Sequence, residues 1–143
     1  MMISTKGKYA LQTMLDLAKQ ASDGGDDVYV SLKAIAERQD ISVKYLEAIV
    51  SMLNKGGLVK STRGKDGGYR LARAASEITV AEVMAMTEGA LAPVSCLDTC
   101  AEGKCSHLGT CLTLPMWQHL DKIIDEYLSG VTIQALLDGK IKA

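Results

Sequence analysis

Four cysteines, Cys96, Cys100, Cys105 and Cys111, fall within sixteen residues of a glycine-containing stretch that also holds His107. Thiolates need short, flexible spacing to converge on one centre, and Gly103 and Gly109 let the backbone wrap. Four outcomes suit such a set. A tetrahedral zinc site takes four cysteines, or three with His107, although the C-x2-C knuckle usual for structural zinc is absent here. An iron-sulfur cluster uses the same soft ligands. A thiol redox switch and inert free cysteines are the others, and clustering this tight favours a metal or cluster.

A second group able to act on a partner is basic. Between Lys44 and Arg73 there are seven bases (Lys44, Lys55, Lys60, Arg63, Lys65, Arg70, Arg73) and two acids (Glu47, Asp66), a local balance of +5 in a chain of net charge −1. Residues 77–130 hold eight acids and two bases, a balance of −6. The positive half is therefore expected to meet phosphates, with the acidic half turned away.

The elements that must present these charges are legible in residues 31–71, which read as two short helices, a tight turn between them, and a β-hairpin tipped by RGKDGG. That order spells a winged helix-turn-helix, so duplex DNA is the expected partner. Ser31 caps the first helix, where Leu32, Ile35 and Ala36 are apolar at helical spacing, and Ser42 caps the second. In the second helix Leu46, Ile49, Val50 and Leu53 form a core stripe, leaving Lys44, Tyr45, Glu47, Ala48 and Ser51 free to meet something outside. Gly56 and Gly57 supply the helix stop. Strands at 58–62 and 69–71 flank a loop with Arg63 and Lys65 among three glycines, suited to a minor groove.

Around this head, periodicity predicts an opening helix over 5–21, broken by SDGGDD, and a short strand at 28–30 that could join the wing. Thr79 and Glu82 stand at capping-box spacing ahead of another helix. A helix-free loop at 90–113 is expected to hold every cysteine. Pro115 opens a long helix reaching about residue 129, with Trp117, Leu120, Ile124, Tyr127 and Leu128 along one side; Thr132 caps a last short helix. That long helix either packs on its own core or forms a two-fold dimer seam, and the small head favours the dimer.

The fold class expected is therefore mainly α with a small β-hairpin wing, a winged helix-turn-helix with a long C-terminal dimerisation helix. Its divisions are a DNA-binding domain at 1–89, a cysteine-rich cluster-binding loop at 90–113, and the dimerisation and C-terminal helices at 114–143. With 143 residues, 48% of them hydrophobic, there is no room for two large domains. The lack of a signal-like apolar N-terminus or an eighteen-residue apolar run predicts a cytoplasmic protein with no membrane partner, where disulfides are rare. Catalysis is not expected: GKDGGY lacks the strand-loop-helix context of a nucleotide site, and His119 reads as a solvated side chain. The competing class is a small iron-sulfur or zinc module for electron transfer or structure, without sequence-specific DNA binding.

The passages STKGKYAL, IAERQDISVKYLEAIVSMLNKGGLVKSTRGKDGGYRLAR, ITVAEVMAMTEG, and C-L-T followed by Leu-Pro-Met-Trp span nearly the whole chain. They resemble the bacterial winged-helix regulators typified by the iron-sulfur regulator IscR, with the nitric-oxide sensor NsrR and the cysteine-metabolism repressor CymR as relatives. The resemblance implies a homodimer on pseudo-palindromic DNA, with Ser42, Lys44, Tyr45, Glu47 and Ala48 near bases or phosphates and Arg63 in the minor groove. Glu47 matches the position that tunes which DNA motif is accepted. It further implies a cluster on Cys96, Cys105 and Cys111, [2Fe-2S] ahead of [4Fe-4S] with zinc behind both. Cluster-assembly genes become the expected targets, and cluster-assembly scaffold proteins candidate partners. Cluster-binding relatives usually have five residues between the first two cysteines; here eight separate Cys96 from Cys105, and Cys100 is an extra thiol among them. Leu114 stands where the iron-sulfur regulator has histidine, and Lys8 where the nitric-oxide branch can have an acid. The fourth ligand stays open among Cys100, His107, a carboxylate and an exogenous group.

Overall fold

A computed structural model describes residues 3–25 and 27–143. Helix α1 (Thr5–Gly24) is capped by Ser4 and buries Ala10, Met14, Leu17 and Ala18. It runs nearly a turn beyond the expected end and stops at Gly25; Asp26 of the breaking run lies outside the described residues. Thr13 is buried on the same face because its hydroxyl donates to the Tyr9 carbonyl at 2.8 Å, satisfying the polar group within the helix.

Both predicted caps form: Ser31 accepts from the Ala34 amide at the start of α2 (Leu32–Gln39), and Ser42 from the Tyr45 amide at the start of α3 (Val43–Lys55). Between the helices Asp40 takes the left-handed conformation, φ 53° and ψ 47°, which a short polar side chain tolerates. Leu46, Ile49, Val50 and Leu53 are fully buried, as their spacing predicts. Of the two glycines after α3, Gly57 alone is left-handed, at φ 71°; Gly56 remains right-handed. The Leu58 amide then bonds back to the Leu53 carbonyl at 3.0 Å, and buried Leu58 seals the helix end.

Strands β1 (Val59–Thr62) and β2 (Gly68–Leu71) pair antiparallel with Val59 opposite Leu71 and Thr62 opposite Gly68. The strand expected at 28–30 is reduced to one bridge, in which Val30 and Tyr69 exchange two backbone bonds of 2.8 Å. Next, Thr79 and Glu82 close a capping box on α4 (Val80–Thr87). The Glu82 carboxyl is held below its usual range by the Thr79 backbone amide and then by Arg73.

The cysteine segment is not helix-free. Residues 96–101 contain no glycine or proline and form the short helix α5 (Cys96–Ala101), which ends where Gly103 turns left-handed at φ 71°. Downstream, α6 (Leu114–Gly130) packs against α4 and α5. Its apolar residues divide between two faces rather than one. Trp117, Ile124 and Leu128 are half-buried, whereas Met116, Leu120, Ile123 and Tyr127 form an outward stripe about a quarter turn away. Thr132 caps α7 (Ile133–Leu137), and this segment returns to the head: Val131 and Ile133 join the core of α1–α4, and the Val131 carbonyl accepts from the Val80 amide at 2.8 Å.

Candidate functional site

Once α3 buries its four apolar residues, Lys44, Glu47, Ala48 and Ser51 are left exposed along the opposite side. Ser42 is also exposed, but its hydroxyl is engaged as the cap. Tyr45 is half-buried, its ring edge-on to Tyr9 of α1 with centroids 6.0 Å apart. That contact ties the start of α3 to the core. At the hairpin tip Arg63 and Lys65 are exposed. Among the described residues no ion pair involves Lys44, Arg63 or Lys65, so their charges are available to an outside anion.

Two bases of the cationic stretch are already used inside the molecule. Arg70 pairs with Asp27 at 2.7 Å and lies 5.0 Å from the centre of the Tyr29 ring, while Arg73 pairs with Glu82 and donates to the Glu77 carbonyl. Asp27 lies 43 positions away from Arg70, so a local charge count could not see that pair. The exposed patch is carried by Lys44, Lys55, Lys60, Arg63 and Lys65.

The thiols occupy unlike settings. Cys96 is exposed, Cys105 and Cys111 are half-buried, and Cys100 is buried at 7% exposure. Cys111 is held in a turn by its amide bond to the His107 carbonyl, 2.9 Å, and its sulfur lies 3.4 Å from the Thr113 hydroxyl just before α6. That hydroxyl, then the Thr113 and Leu114 amides at the positive end of the helix, stabilise the thiolate and lower the Cys111 pKa. Cys100 behaves oppositely. A hydrogen bond with the Cys105 thiol, burial, and the nearby Cys105, Cys96 and Cys111 thiols push it up to about 11.

Alkylation of the reduced, metal-free protein should show this contrast. Because the thiolate is the nucleophile, a lowered pKa moves the rise of the Cys111 labelling rate to lower pH than an ordinary thiol, and Cys100 should label last. Peptide mass spectrometry after timed iodoacetamide exposure reads both, and equal labelling of the two at every pH would contradict the assignment.

Among the described residues no three His, Cys, Asp or Glu groups are already drawn into a shell that could hold a metal ion. The donors nonetheless suit a soft centre by type: four thiols lie in one short segment. Gly103, left-handed at φ 71°, makes the turn between α5 and Cys105. His107 is exposed, and its carbonyl anchors the Cys111 turn. Nothing in the described residues is long and apolar enough for a membrane-crossing helix.

Known proteins are similar to this chain in sequence and in fold. A protein of Neisseria meningitidis serogroup A, named as an HTH-type transcriptional regulator, is 41% identical over 140 residues, covering 98% of this chain and 90% of the relative. The structure of CymR, the global cysteine regulator of B. subtilis, aligns with a TM-score of 0.77 at 34% identity over 96% of this chain and 97% of that one. That of T. potens IscR aligns with a TM-score of 0.74 at 37% identity over 99% and 89%. These named relatives are regulators rather than enzymes. The helical body, the two-stranded wing and a family match running from residue 3 to residue 139 agree, and the chain belongs to Rrf2, the family described as iron-dependent transcriptional regulators.

Proposed function

We propose that this transcription regulator binds pseudo-palindromic DNA as a homodimer and adjusts its affinity through an iron-sulfur centre held by Cys96, Cys105 and Cys111. The carrying observation is the position of Cys111. Its sulfur lies beside the hydroxyl of Thr113, the residue that precedes α6, and α6 is the helix whose outward stripe remains exposed: Met116 54%, Leu120 38%, Ile123 47% and Tyr127 58%. A change at the thiols therefore acts on the element that would set the spacing of two reading heads. A bound cluster supplies a centre whose presence and oxidation state respond to iron and oxidants. The chain's own residues supply the rest: thiolates to hold it, Thr113 and the α6 amides to steady one of them, and α3 with the wing to meet DNA.

Lys44, Tyr45, Glu47 and Ala48 are proposed for the major-groove side, with Ser42 at its edge, and Arg63 and Lys65 for the wing contact. A carboxylate at Glu47 can accept from cytosine or repel phosphate, so this residue suits discrimination between operators. Iron-sulfur sensing over cluster-assembly genes, with a [2Fe-2S] centre, follows the likeness to T. potens IscR. The likeness to CymR, named as a global cysteine regulator, supports a cysteine-responsive role as the second reading.

Anaerobically purified protein is expected to be brown, with absorbance beyond the protein bands, and Cys105→Ala should abolish the colour. Arg63→Ala should weaken operator binding and reduce the salt slope, log K against log salt, by about 0.9 for one lost phosphate contact. Colourless anaerobic protein carrying stoichiometric zinc would overturn the cofactor. An electron-transfer module predicts no footprint, so failure of both metal-loaded and stripped forms to shift promoter DNA would overturn the operator reading.

A further inference from the structure

Three residues of α1, Tyr9, Thr13 and Asp16, stand at i, i+4 and i+7 and so share one face of that helix. Each meets the reading head. The Tyr9 ring lies edge-on to Tyr45 at the start of α3, and the Thr13 hydroxyl lies 3.4 Å from the side-chain oxygen of Gln39. Both Asp16 oxygens accept from Arg38, Oδ1 from Nη2 at 2.7 Å and Oδ2 from Nε at 2.8 Å. This last contact is a planar two-bond fork whose carboxylate is sheltered, 11% exposed against 41% for the arginine side chain. Arg38 and Gln39 end α2, and the chain from there to α3 has little slack: Asp40 is left-handed, the Ile41 amide bonds back to the Ala36 carbonyl at 3.1 Å, and Ser42 is the α3 cap. Fixing Arg38 therefore fixes the point from which α3 departs. The same helix α1 packs against β2 of the wing.

We propose that Asp16 is a positioning residue for DNA reading: by clamping Arg38 it sets the placement of α3 relative to the wing. The proposal rests on the DNA-binding reading alone and is independent of any cluster. The charge of Arg38 is spent on Asp16 rather than on a phosphate, as that of Arg70 is on Asp27. The sign of the effect separates this role from simple electrostatics. Neutralising an acid adds one unit of positive charge, which by itself strengthens binding to a polyanion. Loss of a positioning contact instead weakens binding to the correct sequence, because base contacts depend on where the reading helix lies.

The test uses the full chain as wild type, Asp16→Asn, Arg38→Lys, Arg38→Gln and the Asp16→Asn/Arg38→Gln double variant. Its probes are a duplex that the wild-type protein enriches from a random-sequence pool and an unselected duplex of equal length. Far-ultraviolet circular dichroism and thermal melting establish that each variant is folded at the assay temperature. Each single variant should bind the selected duplex about tenfold more weakly, and the double variant no more weakly than the weaker single, because both changes remove one interaction. Arg38→Lys keeps the charge but loses the fork, and should not escape this loss. Binding of Asp16→Asn to the unselected duplex should hold or rise, a split that loss of folded protein, which lowers both affinities, does not produce. Folded Asp16→Asn or Arg38→Lys protein with wild-type or tighter affinity for the selected duplex overturns the proposal. So does weakening confined to Arg38→Gln and the double variant with a salt slope reduced by about 0.9, the mark of a direct phosphate contact. Either result leaves DNA reading intact, whereas wild-type protein that enriches no sequence from the pool overturns both.

Discussion

Ile123→Glu is expected to convert the proposed dimer to monomer and to weaken operator binding by about a hundredfold or more, with the helical content unchanged. Ile123 is 47% exposed in the single chain and lies at the centre of the stripe formed with Met116, Leu120 and Tyr127. Covering such a side chain contributes about 1.5–3 kcal/mol, whereas burying an unpaired carboxylate costs several kcal/mol. In a two-fold interface the substitution occurs twice, which doubles the penalty. The DNA effect then follows from lost bivalency: a linked second head raises avidity by about 10²–10⁴ without any new contact. Sedimentation equilibrium and gel shifts on a full operator read the two effects, and a variant that stays dimeric would eliminate this stripe as the seam.

Gly68→Ala is expected to displace the wing and sharply reduce DNA affinity while α1 and α3 remain folded. A β-carbon at residue 68 would collide with the Val30 carbonyl oxygen, a backbone atom that cannot rotate away. That same oxygen accepts the Tyr69 amide, so relief of the clash breaks the paired Val30–Tyr69 bonds that dock the hairpin onto the body. Each such bond broken and left unpaired costs about 1–3 kcal/mol. The hairpin carries Arg63 and Lys65, so its displacement removes their charges from the expected groove. Native-like helical circular dichroism with hydrogen-exchange protection lost at Tyr69 is the expected pattern. Wild-type operator affinity in the Gly68→Ala protein would mean that the wing contributes little to DNA binding.

Much of the reading head was legible because its signals are local. A capping serine acts three residues ahead, the α3 stripe repeats within two turns, and the Thr79–Glu82 box closes across one turn. Where local pattern was weak, expectation and structure diverged. The 28–30 strand had too few residues to sustain pairing and became a single bridge. In 90–113, glycines near the end suggested open loop throughout, yet the glycine-free run 96–101 coils into α5. The cysteines were found by type and spacing alone. Their unequal burial was not, because it depends on how α5 lies against α6.

Residue order alone was enough for the helix-helix-hairpin plan, the caps and the supply of thiols, since each is decided within a few neighbouring positions by backbone bonding and side-chain period. Chain path in three dimensions settled which charges are spent internally, as with Arg70 on Asp27, and how the apolar residues of α6 divide between core and surface. It also settled which thiol is sheltered. Those outcomes join residues far apart in sequence, and a contact of that kind exists only after packing has brought its partners together.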